Sequence, residues 1–150
     1  MKFTPTPLGG AYVISLEPLA DARGFFARAF CEREFAEHGL TLDVRQVNTS
    51  FNHRRGTVRG MHYQDERAPE AKLVRCTRGA IADVIVDLPP ESGTYLEHVA
   101  VEMTEENRRA ICVPECFAHG CQSLAHGLAN QIANSVPRIR IAAMFNPRPE

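Results

Sequence analysis

The chain has 150 residues, 44% of them apolar and 23% charged, with a formal net charge of −1. One domain of this length (1–150) buries roughly 68–70% of the surface its unfolded chain exposes, so neither a metal nor a disulfide is required to hold it together. The balanced charge gives no reason to expect nucleic acid or an acidic membrane as partner, no stretch approaches the ~18 apolar residues of a membrane span, and MKFTPTPLGGAY lacks an apolar run of signal-peptide length, so a cytoplasmic protein is expected.

In chain order, a short strand is expected at 11–17, followed by the best helix candidate, CEREFAEHG (31–39), with Gly39 as its C-cap. Strands follow at 44–51, 56–64, 71–78, 80–88 and 96–103, then one turn at 105–107. Further strands are expected at 110–113, 118–125, 129–135 and 139–144, divided by Gly, Pro, Asn and Asp. Many short strands with frequent turns suggest an all-β sandwich, jelly roll or barrel with one short helix. The five cysteines are odd in number and irregularly spaced, which argues against a disulfide framework and for reduced thiols.

Side chains alternate faces along a strand. In QVNTSF, Gln46, Asn48 and Ser50 share one face, and Val47, Thr49 and Phe51 the other. In RGMHYQ, Gly60, His62 and Gln64 oppose Arg59, Met61 and Tyr63. In KLVRC, Lys72, Val74 and Cys76 oppose Leu73 and Arg75, and in IADVIVDL the two aspartates, Asp83 and Asp87, share a face with Ile85. Two readings stay open: polar faces turned to water over an apolar core, or an interior in which the polar faces line a ligand cavity.

Two histidines stand in special contexts: His62, after Arg59-Gly60-Met61, and His119, in PECFAHG (114–120). A lone histidine is most often a packing or surface residue, but two of them with Lys72 and polar strand faces make a chemical site. Imidazole with a pKa of ~6.5 takes a proton at neutral pH, and a nearby ammonium stabilises an oxyanion. Together they suit removal of a proton next to a carbonyl. The rival is a metal site in which His62 and His119 converge with Glu66 or Glu70, although no histidine pair lies at i, i+2. Phosphate-loop, dinucleotide and nucleophile-elbow motifs are absent.

Five segments, DARGFFAR (21–28), QVNTS (46–50), VRGMHYQ (58–64), KLVRCTRGAIADVIVDL (72–88) and PECFAHG (114–120), resemble the dTDP-4-dehydrorhamnose 3,5-epimerase family in content, order and separation, over about residues 3–125. The resemblance implies a cupin-type jelly roll (double-stranded β-helix), a homodimer whose active site borrows residues from the partner, and a reaction free of metal and cofactor on a nucleotide-linked 4-keto-6-deoxy sugar. By position, His62 matches the general base, Lys72 the oxyanion-stabilising lysine, and His119 an active-site histidine. Arg23, Gln46, Asn48 and Arg59 match residues that bind substrate, chiefly at its nucleotide diphosphate end. In that frame Gly60 leaves room for a close approach of backbone and ligand.

Three departures qualify the match. The family carries a proton-donating tyrosine thirteen residues beyond the histidine of its AHG segment; the same count from His119 gives Ile132, between Gln131 and Ala133. Its aspartate partner of the base is replaced by Asn146 in AMFNPRPE, which can orient an imidazole but cannot stabilise imidazolium by charge. The Glu of its RGFFxE is Arg28 here, which bears on nucleotide preference. The expectation is therefore a divergent nucleotide-sugar epimerase in which the missing tyrosine favours reaction at one carbon. The alternatives are a non-catalytic nucleotide-sugar-binding cupin and a metal-dependent cupin.

Overall fold

The structure is a computed structural model that describes residues 1–64 and 67–135. Four short strands, β1 (Lys2–Pro5), β2 (Tyr12–Ser15), β3 (Leu19–Asp21) and β4 (Gly24–Phe26), precede the helix α1 (Glu32–Ala36). After it come β5 (Gln46–Asn52), β6 (Val58–His62), β7 (Lys72–Arg78) and β8 (Ala80–Asp87), then β9 (His98–Thr104), β10 (Arg109–Val113), β11 (Phe117–Ser123) and β12 (Leu128–Asn134).

The strands from β5 onward form one long hairpin rolled on itself. β5 pairs with β12, β6 with β11, β7 with β10 and β8 with β9, all antiparallel. Rolling also sets β12 against β7 and β11 against β8. The strands therefore sort into one sheet that includes β5-β12-β7-β10 and a facing sheet of order β6-β11-β8-β9. This is the expected all-β jelly roll. β2 and β1 extend the first sheet to six strands, and β3 and β4 form a separate hairpin.

The expected strands that fall on described residues are present with ends shifted by a few positions, and 105–107 is a turn. The strand expected at 139–144 lies outside the described residues. Pattern reading passes over β1, an edge strand ending in Pro5, and the β3–β4 hairpin, whose three-residue strands are too short to show a period. The helix is shorter than 31–39 because its end is built as a cap. Gly39, at φ +72°, donates to the Ala36 carbonyl and Leu40 to the Phe35 carbonyl, both at 3.0 Å. That is the Schellman pattern, with the hydrophobic pair Leu40 and Phe35 packed beneath it.

Two apolar clusters hold the layers. Val74, Ile81, Ile85, Met103, Ile111 and Val113 are fully buried between the sheets. Phe35 of α1 packs with Leu73, Ala110 and Cys112 on the outer face of the six-stranded sheet, a burial that contributes roughly 1.5–3 kcal/mol for the one aromatic ring. β7 is therefore covered on both faces. Leu73 faces the helix side, which leaves Lys72, on the other face with Val74, pointing between the sheets.

The pairing of β6 with β11 is irregular where the sequence carries its glycine. His62 stands opposite His119 and Arg59 opposite Cys121, so Gly60 and Met61 together face Gly120 alone. One extra residue on one strand is a β-bulge, and it re-aims the side chains on either side. Gly60 has φ +115°, and a Cβ there would lie 2.6 Å from Gly120 Cα and 2.8 Å from the His119 carbonyl oxygen. The space that Gly60 leaves is thus filled by the backbone of β11, not by a ligand as the sequence suggested. The bulge also corrects the simple alternation, which put Arg59 and His62 on opposite faces; both line the interior cavity. Gly60→Ala is expected to destabilise the fold by at least about 1–3 kcal/mol from the backbone conformation alone, read as a fall in Tm of roughly 2–4 °C for each kcal/mol. An unchanged Tm would mean that the bulge does not form.

Candidate active site

The interior is polar at one end. Along β5, Gln46, Asn48 and Ser50 turn inward while Val47, Thr49 and Phe51 are exposed. Asp83 and Asp87 are fully buried on β8, whereas Ala82, Val84 and Val86 are only half-buried. This reverses the ordinary surface pattern and selects the cavity reading. Between the sheets, at the side where β5 and β6 are the edge strands, lies a cavity of about 200 Å³. The six-stranded sheet lines it with Asn48, Ser50, Lys72, Asn130, Ile132 and Asn134. The four-stranded sheet contributes Arg59, His62, His119 and Cys121, and the connection from β6 to β7 adds Tyr63, Gln64 and Glu70.

Lys72 and Glu70 form an ion pair at 2.9 Å with side-chain exposures of 8% and 2%. Gln64 Nε2 donates to the same carboxylate oxygen at 3.3 Å. The other oxygen, Glu70 Oε1, is buried with no hydrogen-bond partner among the described residues. On the opposite sheet, Asp83 Oδ2 lies 2.8 Å from His119 Nε2, which fixes the His119 ring from behind the cavity. Burial holds the His62 imidazole below its ordinary pKa of 6.5, and the charges of His119, Lys72 and Arg59 lower it further. Burial also pushes the Cys121 thiol up to about 12, so it lines the cavity as a neutral group, not as a nucleophile. A proton NMR titration, with His62 assigned by comparison with His62→Gln, should give that ring a midpoint below 6.5. A midpoint above 6.5 would contradict the cationic setting.

Asn52 and the Phe51 carbonyl, at the end of β5, accept from the Arg59 guanidinium at 2.5 and 3.3 Å, which fixes the arginine beside the cavity. Asn48 Nδ2 donates to Asn134 Oδ1 at 3.1 Å. His62, Lys72, His119, Arg59 and Asn48 are thus brought together. Gln46 faces the same way as Asn48 but lies one step beyond the residues that line the cavity. Arg23 is not brought in: it sits between β3 and β4, 89% exposed, paired with Asp21 at 2.6 Å. Arg28 pairs with Glu34 at 2.7 Å. Of the three residues at the tyrosine count, Ile132 lines the cavity, Gln131 is exposed, and Ala133 packs on the far side of the sheet. Asn146 lies outside the described residues.

Sequence reading missed the roles of Glu70 and of Asn130 and Asn134. Period-2 alternation held the signal for β12, where Asn130, Ile132 and Asn134 share one face, whereas Glu70 lies in the connection before β7, outside the reach of alternation. Among the described residues, no three His, Cys, Asp or Glu side chains gather as metal ligands. Glu70, weighed as a ligand, is engaged with Lys72, and Glu66 lies outside the described residues.

Comparison with known proteins bears on this arrangement. A family model described as dTDP-4-dehydrorhamnose 3,5-epimerase matches residues 5–132. A protein of that description from Methanothermobacter thermautotrophicus is 45% identical over 124 residues, 83% of this chain. The chain spans 66% of that relative's length, just under two thirds. The crystal structure of the Elizabethkingia anophelis dTDP-4-dehydrorhamnose 3,5-epimerase superposes with a TM-score of 0.89 at 33% identity, covering 93% of this chain and 76% of that one. NovW, a 4-keto-6-deoxy sugar epimerase from the novobiocin gene cluster of Streptomyces spheroides, gives 0.88 at 33% identity, with 93% and 70% covered.

Proposed function

The chain belongs to the dTDP-4-dehydrorhamnose 3,5-epimerase family, and from that premise we propose that it is an isomerase that epimerises a nucleotide-linked 4-keto-6-deoxy sugar. The observation that carries the reading is the placement of His62 and Lys72 on opposite walls of one cavity, with Arg59 beside them. His62, neutral at physiological pH, removes a proton from the carbon next to the keto group. Lys72 meets the negative charge that then develops on the keto oxygen. Arg59 binds phosphate oxygens of the nucleotide, as its bidentate fork favours. Asn48 and His119 complete the binding surface of the cavity, and Gln46, one step beyond it on the same face of β5, extends it. Ile132 offers no proton at the place where the family's tyrosine stands, which favours reaction at one carbon.

The reading includes a cytoplasmic homodimer. The outer face of β5 and the β3–β4 hairpin expose large apolar groups, with Val47 60%, Phe51 44%, Leu19 75% and Phe26 75% exposed. Surfaces of this kind mark interfaces, and Arg23, on that hairpin, would reach the partner's cavity.

Incubation with dTDP-4-keto-6-deoxyglucose in deuterium oxide, followed by proton NMR, tests the function. Deuterium at the carbon next to the keto group is the expected result. Tight binding with no exchange would instead identify a nucleotide-sugar-binding protein.

A further inference from the structure

If Arg59 binds phosphate, as the epimerase reading has it, the charges around it govern how the nucleotide diphosphate arrives. The formal net charge of −1 is unevenly spread. Residues 46–64, across β5 and β6, hold Arg54, Arg55 and Arg59 and no carboxylate. β11 and β12, with the turn between them, hold no carboxylate either. These two turns meet at one end of the jelly roll. Gly56 donates to the Ser123 carbonyl at 2.7 Å, Ser123 to that of Thr57 at 2.9 Å, and Gly127 to that of His53 at 3.3 Å. Glu105 and Glu106, on the β9–β10 turn at the same end, are offset by Arg108 and Arg109. At the opposite end, the connections from β8 to β9 and from β10 to β11 expose Glu91, Glu97 and Glu115, against Arg67 of the β6–β7 connection. Among the described residues, the end where Arg59 stands is thus the positive one.

The arginines that pair with carboxylates are others: Arg23, Arg28, Arg33 and Arg45. Arg54 and Arg55 are exposed and pair with no carboxylate among the described residues. Nor do their side chains hold the turn. Its shape comes from Gly56 at φ +82°, the backbone bonds to its neighbours, and the Thr57 hydroxyl donating to the Arg54 carbonyl at 2.8 Å. Arg59, by contrast, is anchored on Asn52 and the Phe51 carbonyl. Consecutive Cα atoms are about 3.8 Å apart, so those of Arg54 and Arg55 lie at most about 8 and 11 Å from that of Asn52. That is close to the Debye length of about 10 Å at 0.1 M salt. Like charges gathered without counter-ions repel one another, and a field of one sign draws in the opposite ion.

We propose that Arg54 and Arg55 steer the nucleotide diphosphate toward Arg59. They raise the rate at which the anion arrives from the turn end of the cavity. They do not hold it once it is bound, a task that belongs to Arg59 and the cavity wall. The effect is one of charge at a distance, so it depends on salt and not on the shape of the guanidinium.

Stopped-flow binding of dTDP carrying a fluorescent group on its ribose separates arrival from retention. The wild-type protein is compared with the double variant Arg54→Gln with Arg55→Gln. Both are measured at about 0.01 M salt, where the Debye length is about 30 Å, and at about 1 M, where it is about 3 Å. At low salt the double variant should associate about tenfold more slowly, the low end of what steering supplies. At high salt the two association rates should converge. Dissociation should stay within about twofold throughout. The double variant Arg54→Lys with Arg55→Lys keeps the charge and should associate as the wild type does. Equal association of the glutamine variant and the wild type at low salt overturns the proposal. So does a faster dissociation with association unchanged, which would make these arginines contacts of the bound nucleotide. A lysine variant as slow as the glutamine variant overturns it as well. Should the double variant not fold, either single glutamine variant carries the test, with a fall of about threefold expected. Failure of the wild-type protein to bind dTDP at all would reject the nucleotide-sugar reading itself, and the proposal with it.

Discussion

His62→Asn is expected to abolish exchange of the substrate's α-proton, with turnover falling by about 10²–10⁴-fold while nucleotide-sugar binding changes only a few-fold. His62 ends the edge strand β6 and is only half-buried, so its loss removes a reacting group without opening the core. Asparagine fills similar space and can still hydrogen-bond, but it cannot take a proton. The pH profile checks the assignment independently of the variant. Burial, then the charges of His119, Lys72 and Arg59, lower the imidazole pKa. The neutral ring is the base, so kcat/KM should stay level as pH falls past 6.5 and decline only below it. Neutralising a cation beside the ring should move that limb upward. A variant that retains wild-type exchange, or an acid limb above 6.5, would remove His62 from the base position.

The same residues mark how far the sequence reaches. Period-2 alternation put Asn48 with Ser50 and Lys72 with Val74 on one face each, and burial shows those faces to be the inward ones, because β5 and β7 are regular there. It failed for Arg59 and His62, where one extra residue on β6 changes the facing of everything beyond it. Gly60 announced something unusual, but only its neighbour across the ladder, Gly120, tells what. That pairing joins segments some sixty residues apart and cannot be read locally. The Glu70–Lys72 contact lay close in sequence, two residues apart, but Glu70 sits in the connection just before β7, where strand alternation says nothing about facing. It was obscured because a buried carboxylate is as readily a metal ligand as an ion-pair partner until its neighbours are known. The reversed β5, polar inside and apolar outside, was also visible in QVNTSF. Only burial decided which side was which.

Lys72→Met is the second large effect, and it acts on stability and activity for different reasons. The side chains of Lys72 and Glu70 are 8% and 2% exposed and 2.9 Å apart. Methionine fills the lysine's volume but leaves the Glu70 carboxylate buried beside it without a counter-charge. Breaking one half of a buried pair costs about 3–5 kcal/mol, which for a chain of this size is roughly 6–20 °C in Tm. Turnover should fall further, by about 10²–10³-fold, through loss of the charge that faces the developing oxyanion. The double variant Glu70→Gln with Lys72→Met separates the two effects. It strands no charge, because the carboxylate leaves with the ammonium, and replacing a whole buried pair is often neutral. Tm should therefore recover most of its loss while turnover stays at the level of Lys72→Met or below. If the double variant recovers turnover along with Tm, Lys72 only supports the fold, and the oxyanion must be met by another group of the cavity, such as Arg59 or a protonated His119 on the facing wall.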